Sequence, residues 1–278
     1  MPEILWVSGA VVAVIMLSTW AVSLVLRDAS IVDLVWGLGF VVVAWAAFAL
    51  ASDDTRDWLP PVLCSAWGLR LTAHLARRNV GHGEDPRYAA MRRQHGPRFP
   101  LVSLLTVFLL QGVVMWTVSL PLQGAQSSAG TSLTIQVFGA VVWGVGFVFE
   151  AVGDWQLARF KADPANRGRV MDRGLWRYTR HPNYFGDSLV WWGLYGVSFA
   201  TGSPWWSAVG PLLMTFCLLR FSGVTLLEKS LHDSKPEYAA YVARTSAFVP
   251  LPPRMSRQDK DDAPSFPASS ERDSEPAS

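Results

Sequence analysis

Several ionisable or amide side chains lie inside or beside long apolar stretches of this chain, where such groups are costly. They are Asp33, Arg70 with His74, Glu150 with Asp154, and Asn183 with Asp187. The members of each pair are four residues apart, so on a helix they share one face. A carboxylate in the middle of a membrane-spanning helix costs roughly 2.5–3.5 kcal/mol, so these residues are functional candidates by default.

A basic, aromatic segment, here called the hinge, precedes the pair Asn183 and Asp187. It contains Arg169, Arg173, Arg177 and Arg180, followed by His181-Pro182-Asn183-Tyr184. A residue before proline is biased away from helical geometry, and proline suits the first turn of a helix, so a helix should start there. Free N–H groups at that start and the nearby guanidinium groups together predict an anion site, for phosphate, carboxylate or a lipid headgroup.

Structural explanations compete with this functional one. Arg70 could pair with Asp33, and Asp154 with a hinge arginine, so that the polar groups only stabilise helix packing. The segment 77–88 is either a solvated connector or an element that folds over the mouth of a ligand site. The segment 220–248, which contains Glu228, has the spacing of an interfacial helix.

Composition places these residues in a membrane protein. Half of the 278 residues are hydrophobic and 17% are charged. The stretch from Ile4 to Leu26 has no charge, Ile31 to Ala51 has only Asp33, and Leu101 to Leu133 has none. Such stretches can cross a hydrocarbon layer of roughly 30 Å, and they lack the alternation of barrel strands. We therefore predict an all-α, polytopic membrane protein.

The pattern predicts seven spans and an orientation. The spans are about 4–26, 31–51, 59–80, 101–121, 133–158, 186–202 and 204–227. With the N-terminus outside, every Lys and Arg except Arg56 falls on the cytoplasmic side or at an adjoining helix end, as the positive-inside rule requires. Residues 1–250 form the membrane domain, and 251–278, rich in Ser, Pro and charged residues, form a tail predicted to be disordered.

Several classes of site are not indicated. Cys64 and Cys217 show neither CxxC nor Cys/His spacing, so no metal site or disulfide framework is predicted. The chain has no GxGxxG after a strand, no Walker loop, no HExxH and no GxSxG. It has no nucleic-acid-binding motif either.

The hinge resembles a known family. Residues 174–187, GLWRYTRHPNYFGD, with Tyr238-x-x-Tyr241-x-x-Arg244 and the early Asp33-x-x-Trp36-Gly37, are similar to the bacterial branch of the steroid 5-alpha-reductase-like membrane proteins. The wider superfamily also contains sterol double-bond reductases and isoprenylcysteine-type methyltransferases, so the hinge alone does not choose the reaction.

The resemblance implies a seven-helix fold with NADPH bound in the cytoplasmic half. The residues it assigns to the cofactor are Glu150, Asp154, Lys161, Arg169, Arg180, Asn183, Tyr184, Asp187, Arg220 and Arg244. Glu150 stands where the family has asparagine. Steroid reductases of the family polarise the substrate ketone with a Glu/Tyr pair, but residues 66–70, AWGLR, contain no tyrosine. By position, Asp33 and His74 are the catalytic candidates.

We therefore expect an NADPH-dependent reductase of a carbonyl-activated C=C bond in a steroid-like or other lipophilic substrate. One alternative is an S-adenosylmethionine-dependent membrane methyltransferase that uses the same hinge, and another is a non-enzymatic lipid-binding protein. The expected location is the cytoplasmic membrane of a bacterium or the endoplasmic reticulum of a eukaryote. The cofactor site faces the cytoplasm, and the partners are membrane lipids and a lipophilic small molecule.

Overall fold

The structure, a computed structural model, describes residues 1–81, 83–127, 130, 132–222 and 237–254. Helices make up most of this part of the chain, which contains no strand, and an isolated bridge joins Thr179 to Ser246. The α-helices are α1 (Pro2–Leu26), α2 (Ile31–Leu50), α3 (Leu59–Asn79), α4 (Pro86–His95), α5 (Phe99–Ser103), α6 (Leu110–Val118), α7 (Leu120–Ala125), α8 (Leu133–Ala162), α9 (Pro182–Ala200), α10 (Val209–Cys217) and α11 (Tyr238–Arg244). The all-α prediction is confirmed.

Helices lie at each predicted span, with bounds within a few residues of the expected ones for α1, α2, α3 and α8. The fourth span is divided by a π-helical stretch at Leu104–Leu109, and α7 extends beyond it. The end of the seventh span, Glu228, and residues 255–278 of the predicted tail lie outside the described residues.

Some of these helices are suited by length and composition to cross a membrane. The stretches that qualify are Pro2–Leu26, Ile31–Leu50, Pro86–Val118 and Leu133–Ala162. The third helix is long enough, but Arg70, His74, Arg77 and Arg78 lower its hydropathy. The apolar helices fit a membrane-embedded protein.

Connections between helices alternate between two ends of the bundle. One end, here called the hinge end, contains residues 27–30, 80–81, 83–98, 163–181 and 237–254. The opposite end, here called the far end, contains 51–58, 119–127 and 201–208. Hydrogen bonds join loops at each end, from Ala29 N–H to Glu84 and from Thr55 to the carbonyl of Gln126.

Glycines bring α8 and α9 into backbone contact. A Cβ atom on Gly146 would lie 2.6 Å from the carbonyl oxygen of Gly186, and one on Gly186 would lie 2.4 Å from the backbone nitrogen of Glu150. Farther along, a Cβ atom on Gly193 would lie 2.4 Å from the backbone nitrogen of Trp143. Small residues permit such close helix packing inside membranes. The polar pairs of α8 and α9 are therefore held facing each other.

A second close contact joins α2 to α3. A Cβ atom on Gly37 would lie 2.5 Å from the carbonyl oxygen of Gly68. Next to this crossing, the Trp67 ring packs edge-on against Phe40 and Trp191, at centroid distances of 5.7 and 5.3 Å. The α2–α3 pair is thereby packed against α9.

Helix α4 folds back beside α6. Gly96, between α4 and α5, has φ 48°, a backbone conformation that glycine adopts at little cost. The Tyr88 hydroxyl lies 3.5 Å from Gln111 Nε2, whereas one straight helix would separate residues 88 and 111 by roughly 35 Å. The π-helical stretch ends just before Gln111 and changes the direction in which the following residues face.

Candidate functional site

The hinge is bound to α11 by buried hydrogen bonds. The Tyr241 hydroxyl donates to the Trp176 carbonyl at 2.5 Å. Arg180 Nη1 donates to the carbonyls of Thr245 and Val242, at 2.7 and 3.1 Å. Burial raises the pKa of Tyr241, so its hydroxyl stays a neutral donor. Arg180, a predicted cofactor residue, therefore also anchors the C-terminal segment.

A cavity of about 610 Å³ opens at the hinge end, a size usual for small-molecule sites. Its basic lining residues are Arg78, Lys161, Arg167, Arg169 and Arg180. Its aromatic lining residues are Phe160, Trp176, Tyr184, Tyr238 and Tyr241. The predicted cofactor residues that line it are Lys161, Arg169, Arg180, Asn183 and Tyr184.

The charge of this lining favours an anion. Asp163 also lines the cavity, but its Oδ1 accepts a hydrogen bond from the Ala165 N–H at 2.9 Å and caps a short turn. Guanidinium groups bind phosphate and carboxylate through several N–H donors at once. A ligand with phosphate groups and a flat ring system matches the cations and the aromatic walls.

Deeper in the bundle, Arg70 bridges two carboxylates of α8. Its guanidinium donates to Glu150 through Nη2, and to Asp154 Oδ2 through Nη1 at 2.6 Å. The Trp67 indole N–H donates to Glu150 Oε2 at 2.7 Å. Side-chain exposure is 19% for Arg70, 4% for Glu150 and 9% for Asp154. The polar pairs of α3 and α8 thus form one buried ionic cluster.

The α9 pair connects this cluster to the cavity. Asn183 lines the cavity and its Nδ2 donates to Asp154 Oδ1 at 3.1 Å. Asp187, one turn farther along α9, interacts electrostatically with Glu150 and with Arg70. Its Oδ1 atom is buried and has no hydrogen-bond partner among the described residues. An unsatisfied buried carboxylate oxygen is costly, which favours a ligand or proton at this position.

His74 joins the same cluster. Its Nε2 lies 3.8 Å from Asp154 Oδ2, which is beyond hydrogen-bond distance. The pairing of Arg70 with Asp33, considered from the sequence, is wrong, since Arg70 binds Glu150 and Asp154. The cationic partner of Asp154 is likewise Arg70, which lies in α3 and not in the hinge.

Two predicted cofactor residues, Arg220 and Arg244, belong neither to the cavity lining nor to the ionic cluster. Arg244 is 48% exposed in its side chain and pairs with Asp172 at 2.5 Å. Arg220 is exposed within the second π-helical stretch, Leu218–Ser222. Neither is among the described residues that line the cavity.

Asp33, the other catalytic candidate, belongs to a different polar cluster. Its Oδ1 lies 3.5 Å from the Tyr88 hydroxyl, and its Oδ2 lies 3.9 Å from Arg87 Nη2. Gln111 Nε2 lies 3.5 Å from the same hydroxyl. The two predicted catalytic residues therefore lie in two sites, His74 beside the ionic cluster and Asp33 beside Tyr88.

The residues just before α4, 83–85, are bound to the turn between α1 and α2, residues 27–30. Glu84 accepts from the Ala29 N–H at 2.9 Å and binds Arg92 through both carboxylate oxygens, at 2.7 and 3.0 Å. Burial alone would raise the pKa of Glu84, but the hydrogen bonds from Arg92 and Ala29 outweigh it and lower the pKa. This segment is an ordered part of the hinge end and holds α4 in place.

Sequence reasoning did not select Trp67 or Gln111 as site residues, and it considered Arg78 and Tyr88 only as members of the segment 77–88. Gln111 could have been selected from the sequence, because it is an amide within a stretch of more than thirty uncharged residues. The contact of Tyr88 with Gln111 could not have been predicted from the sequence, because it depends on the reversal of the chain at Gly96.

The comparison with known protein families gives a match that includes all of the candidate site residues. A family model described as "Protein of unknown function (DUF1295)" matches residues 19–245. The chain belongs to the DUF1295 family. This family is part of the steroid 5-alpha-reductase-like superfamily, which confirms the resemblance at that level. Every candidate site residue lies within the matched range.

A relative of this DUF1295 protein is an uncharacterized protein of Schizosaccharomyces pombe. The two are 25% identical over an alignment that covers 83% of this chain and 75% of the yeast protein. No solved structure matches the chain.

Proposed function

We propose that this DUF1295 protein is an NADPH-dependent membrane reductase of a carbonyl-activated C=C bond in a lipophilic substrate. The observation that carries the proposal is the basic cavity of about 610 Å³ and its direct connection, through Asn183, to the buried cluster around Asp154. Such a site offers cations for phosphate groups at its mouth and fixed polar groups farther in. The hinge residues favour placing the chain in the bacterial branch of the superfamily.

The residues present fit this cofactor. Lys161 and Arg169 lie at the cavity wall where phosphate groups would bind, and the rings of Trp176 and Tyr238 offer flat surfaces for a base. Asp154 accepts one N–H of the Asn183 amide and so orients it, and the second N–H would be available to donate to a ligand in the cavity. When bound, the cofactor would supply a hydride to the β-carbon of the substrate.

The orientation in the membrane follows from the charge distribution. We infer that the hinge end faces the cytoplasm, that the N-terminus is outside, and that seven helices cross the bilayer. The hinge end contains the basic residues of the connector and the hinge, as cytoplasmic segments do. A water-soluble cofactor then enters from the cytoplasm, while an apolar substrate enters from the lipid.

A second candidate is an S-adenosylmethionine-dependent methyltransferase. The observation that favours it is the excess of carboxylates over cations around Arg70, where Glu150, Asp154 and Asp187 lie together. A sulfonium cation would be stabilised there. The basic cavity lining argues the other way, because S-adenosylmethionine has no phosphate group.

Thermal unfolding of the purified protein in lipid nanodiscs tests both candidates. NADPH and S-adenosylmethionine are added separately to wild type, to Asn183→Ala, and to Arg159→Ala as the control. Arg159 lies on α8 near the cavity but contacts the Trp155 ring and is not among the lining residues. A ligand at 100 times its Kd stabilises the native state by about 2.7 kcal/mol.

We expect NADPH to raise the melting temperature of wild type and Arg159→Ala, and to do so less for Asn183→Ala. Stabilisation by S-adenosylmethionine alone would favour the methyltransferase. Stabilisation by neither compound, together with stabilisation by anionic lipid, would favour the non-enzymatic lipid-binding protein.

A further inference from the structure

The outer part of the hinge-end cavity is positively charged. Lys161, Arg167 and Arg169 line the cavity, and all three are exposed. They belong to the last turn of α8 and to the loop that follows it. Asp163, which lies in the same loop and also lines the cavity, leaves this part with a net positive charge.

The inner part of the cavity lies beside carboxylates. Asn183 and Tyr184, which begin α9, are half-buried in its lining, and Asn183 Nδ2 donates to Asp154 Oδ1 at 3.1 Å. Tyr184 is close enough to Asp154 and Asp187 to interact electrostatically with both. Asp187 Oδ1 is buried and, like the indole N–H of the neighbouring Trp191, has no hydrogen-bond partner among the described residues. A ligand that fills the cavity thus meets exposed cations at one end and buried carboxylates at the other.

The buried cluster contains more acid than base. Arg70 binds Glu150 and Asp154. Asp187 interacts electrostatically with Arg70 and Glu150. His74 Nε2 lies 3.8 Å from Asp154 Oδ2, and even with His74 protonated, two positive charges face three carboxyl groups. An uncompensated buried negative charge is costly, so a proton or a cationic group of a ligand should supply the balance.

Two of the carboxylates are held in fixed positions. Glu150 accepts from Arg70 and, at 2.7 Å, from the Trp67 indole N–H. Asp154 accepts from Arg70 at 2.6 Å and from Asn183 at 3.1 Å. Groups that are already oriented do not have to rearrange when charge develops beside them, so they stabilise it effectively.

The chemistry of the proposed function produces a cationic group. Transfer of a hydride, which carries two electrons, breaks a C–H bond of the nicotinamide ring and forms a C–H bond at the β-carbon of the substrate. The C=C bond and carbonyl of the substrate become an enolate, and the ring is left with one positive charge. Because a lipophilic substrate comes from the membrane, the reacting ring belongs at the inner end of the cavity, and the phosphate groups belong at the basic outer end.

We propose that Asp187, together with Glu150 and Asp154, stabilises the positive charge on the nicotinamide ring of the oxidised cofactor. This inference rests on the proposed function and concerns how the site distinguishes NADP⁺ from NADPH. The outer cations act on phosphate groups that both forms possess, whereas the carboxylates act on the ring, in which the two forms differ. Charges interact strongly in a buried site, so the carboxylates favour release of the hydride.

Competitive titration tests this role without turnover. NADPH binding to the full chain in nanodiscs is followed by NADPH fluorescence, and NADP⁺ binding by displacement of NADPH. The quantity compared is the ratio of the NADP⁺ and NADPH dissociation constants, because a change in folding or in phosphate binding affects both constants alike.

The test variants are Asp187→Asn and Glu150→Gln, each of which removes one carboxylate of the cluster. The matched control is Asp163→Asn, which removes a carboxylate from the outer part of the same cavity. Asp163 caps a turn through the Ala165 N–H, and asparagine caps equally well. If one test variant does not fold, the other still decides the question.

We expect NADP⁺ binding by Asp187→Asn and by Glu150→Gln to weaken relative to NADPH binding by at least about fivefold, because a negative charge near the cationic ring is lost. The ratio for Asp163→Asn should stay within about twofold of wild type, because this carboxylate is exposed and screened by solvent.

Two results would overturn the inference. An unchanged ratio in both test variants would mean that a proton, and not the cofactor, balances the cluster. An equal shift of the ratio in Asp163→Asn would mean that the effect does not depend on the inner carboxylates. Either result with intact binding of both cofactor forms removes this inference alone, whereas failure of wild type to bind either form removes the proposed function as well.

Discussion

The two ends of the helix bundle differ in how the polar groups around their cavities are paired. At the far end, the Gln126 side chain accepts from the Asp57 N–H at 3.1 Å and donates to the Asp57 carbonyl at 2.7 Å. A depression of about 540 Å³ is present there, but its arginine, Arg56, binds Asp53 and the Ala51 carbonyl. The hinge end has a cavity of similar size with five Lys or Arg residues in its lining. Deeper in the bundle, Asp187 Oδ1 is buried and has no hydrogen-bond partner among the described residues.

On this contrast we propose a structural role for the first set of polar groups and ligand binding for the second. Groups that close a loop satisfy each other in pairs, as Gln126 and Asp57 do. Around the proposed ligand site, hydrogen-bonding capacity is left over, as at Asp187 Oδ1. The volume of a cavity does not make this distinction, whereas its hydrogen bonding does.

The largest effect is expected from removing Arg70. Arg70→Ala leaves Glu150 and Asp154 as uncompensated buried charges, which costs about 3–5 kcal/mol in the free energy of unfolding. Heat- or detergent-induced unfolding followed by tryptophan fluorescence measures it. The matched far-end variant, Arg56→Ala, removes an exposed pair, whose partner Asp53 is 91% exposed, and costs about 0–1 kcal/mol.

Neutralising the carboxylates as well should restore stability. Arg70→Met combined with Glu150→Gln, Asp154→Asn and Asp187→Asn leaves no carboxylate of the cluster without its cation, so its free energy of unfolding should return toward that of wild type. Equal stability losses in Arg70→Ala and Arg56→Ala would show that the ionic cluster is not buried as described.

An intermediate effect is expected from Gln126→Leu at the far end. Both backbone partners on Asp57 lose their hydrogen bonds, at a cost of about 1–3 kcal/mol for a buried group left unpaired. Because the change is distant from the cavity, NADPH stabilisation of the variant, measured as the shift in melting temperature, should equal that of wild type. A loss of NADPH stabilisation would show that the two ends are not independent.

The smallest effect, and one that depends on pH, is expected from Tyr241→Phe. The variant loses the hydrogen bond to Trp176, worth about 0.5–1.5 kcal/mol. The pKa of Tyr241 is raised by burial, so its contribution to stability is present below the unfolded-state pKa of about 10 and is lost as pH rises through the folded-state pKa.

Melting temperatures measured between neutral and strongly alkaline pH check this. Wild type should be more stable than Tyr241→Phe at neutral pH, and the two should converge as the solution becomes alkaline. A constant difference across that range would mean that Tyr241 does not ionise in this transition.

The sequence predicted the helices and the local pairs well, because both depend on short-range spacing. The start of α9 at Pro182, the end of α2 near Leu50, and the shared face of Glu150 and Asp154 follow from residues a few positions apart. Grouping Asp154 with Asn183 was also predicted, since the hinge places the start of α9 near the end of α8.

Long-range partners could not be predicted in this way. Which carboxylates Arg70 binds depends on how α3 is rotated against α8. Close contacts position α3 against α2 (Gly37 with Gly68) and α8 against α9 (Gly146 with Gly186), and such pairings are not visible in a single sequence. Likewise, Tyr88 reaches Gln111 only because the chain reverses at Gly96 and a π-helical stretch precedes Gln111.

The central claim is that the basic hinge-end cavity binds a phosphate-bearing cofactor. Its most direct test is a fluorescence titration of NADPH against wild type, the double variant Lys161→Ala/Arg169→Ala, and Arg159→Ala, at low and high salt. We expect saturable binding by wild type and Arg159→Ala that weakens with salt. Binding by the double variant should be at least about tenfold weaker, since each charged contact contributes about 1.5–3 kcal/mol. Identical NADPH affinity in all three proteins, or no binding by wild type, would contradict it.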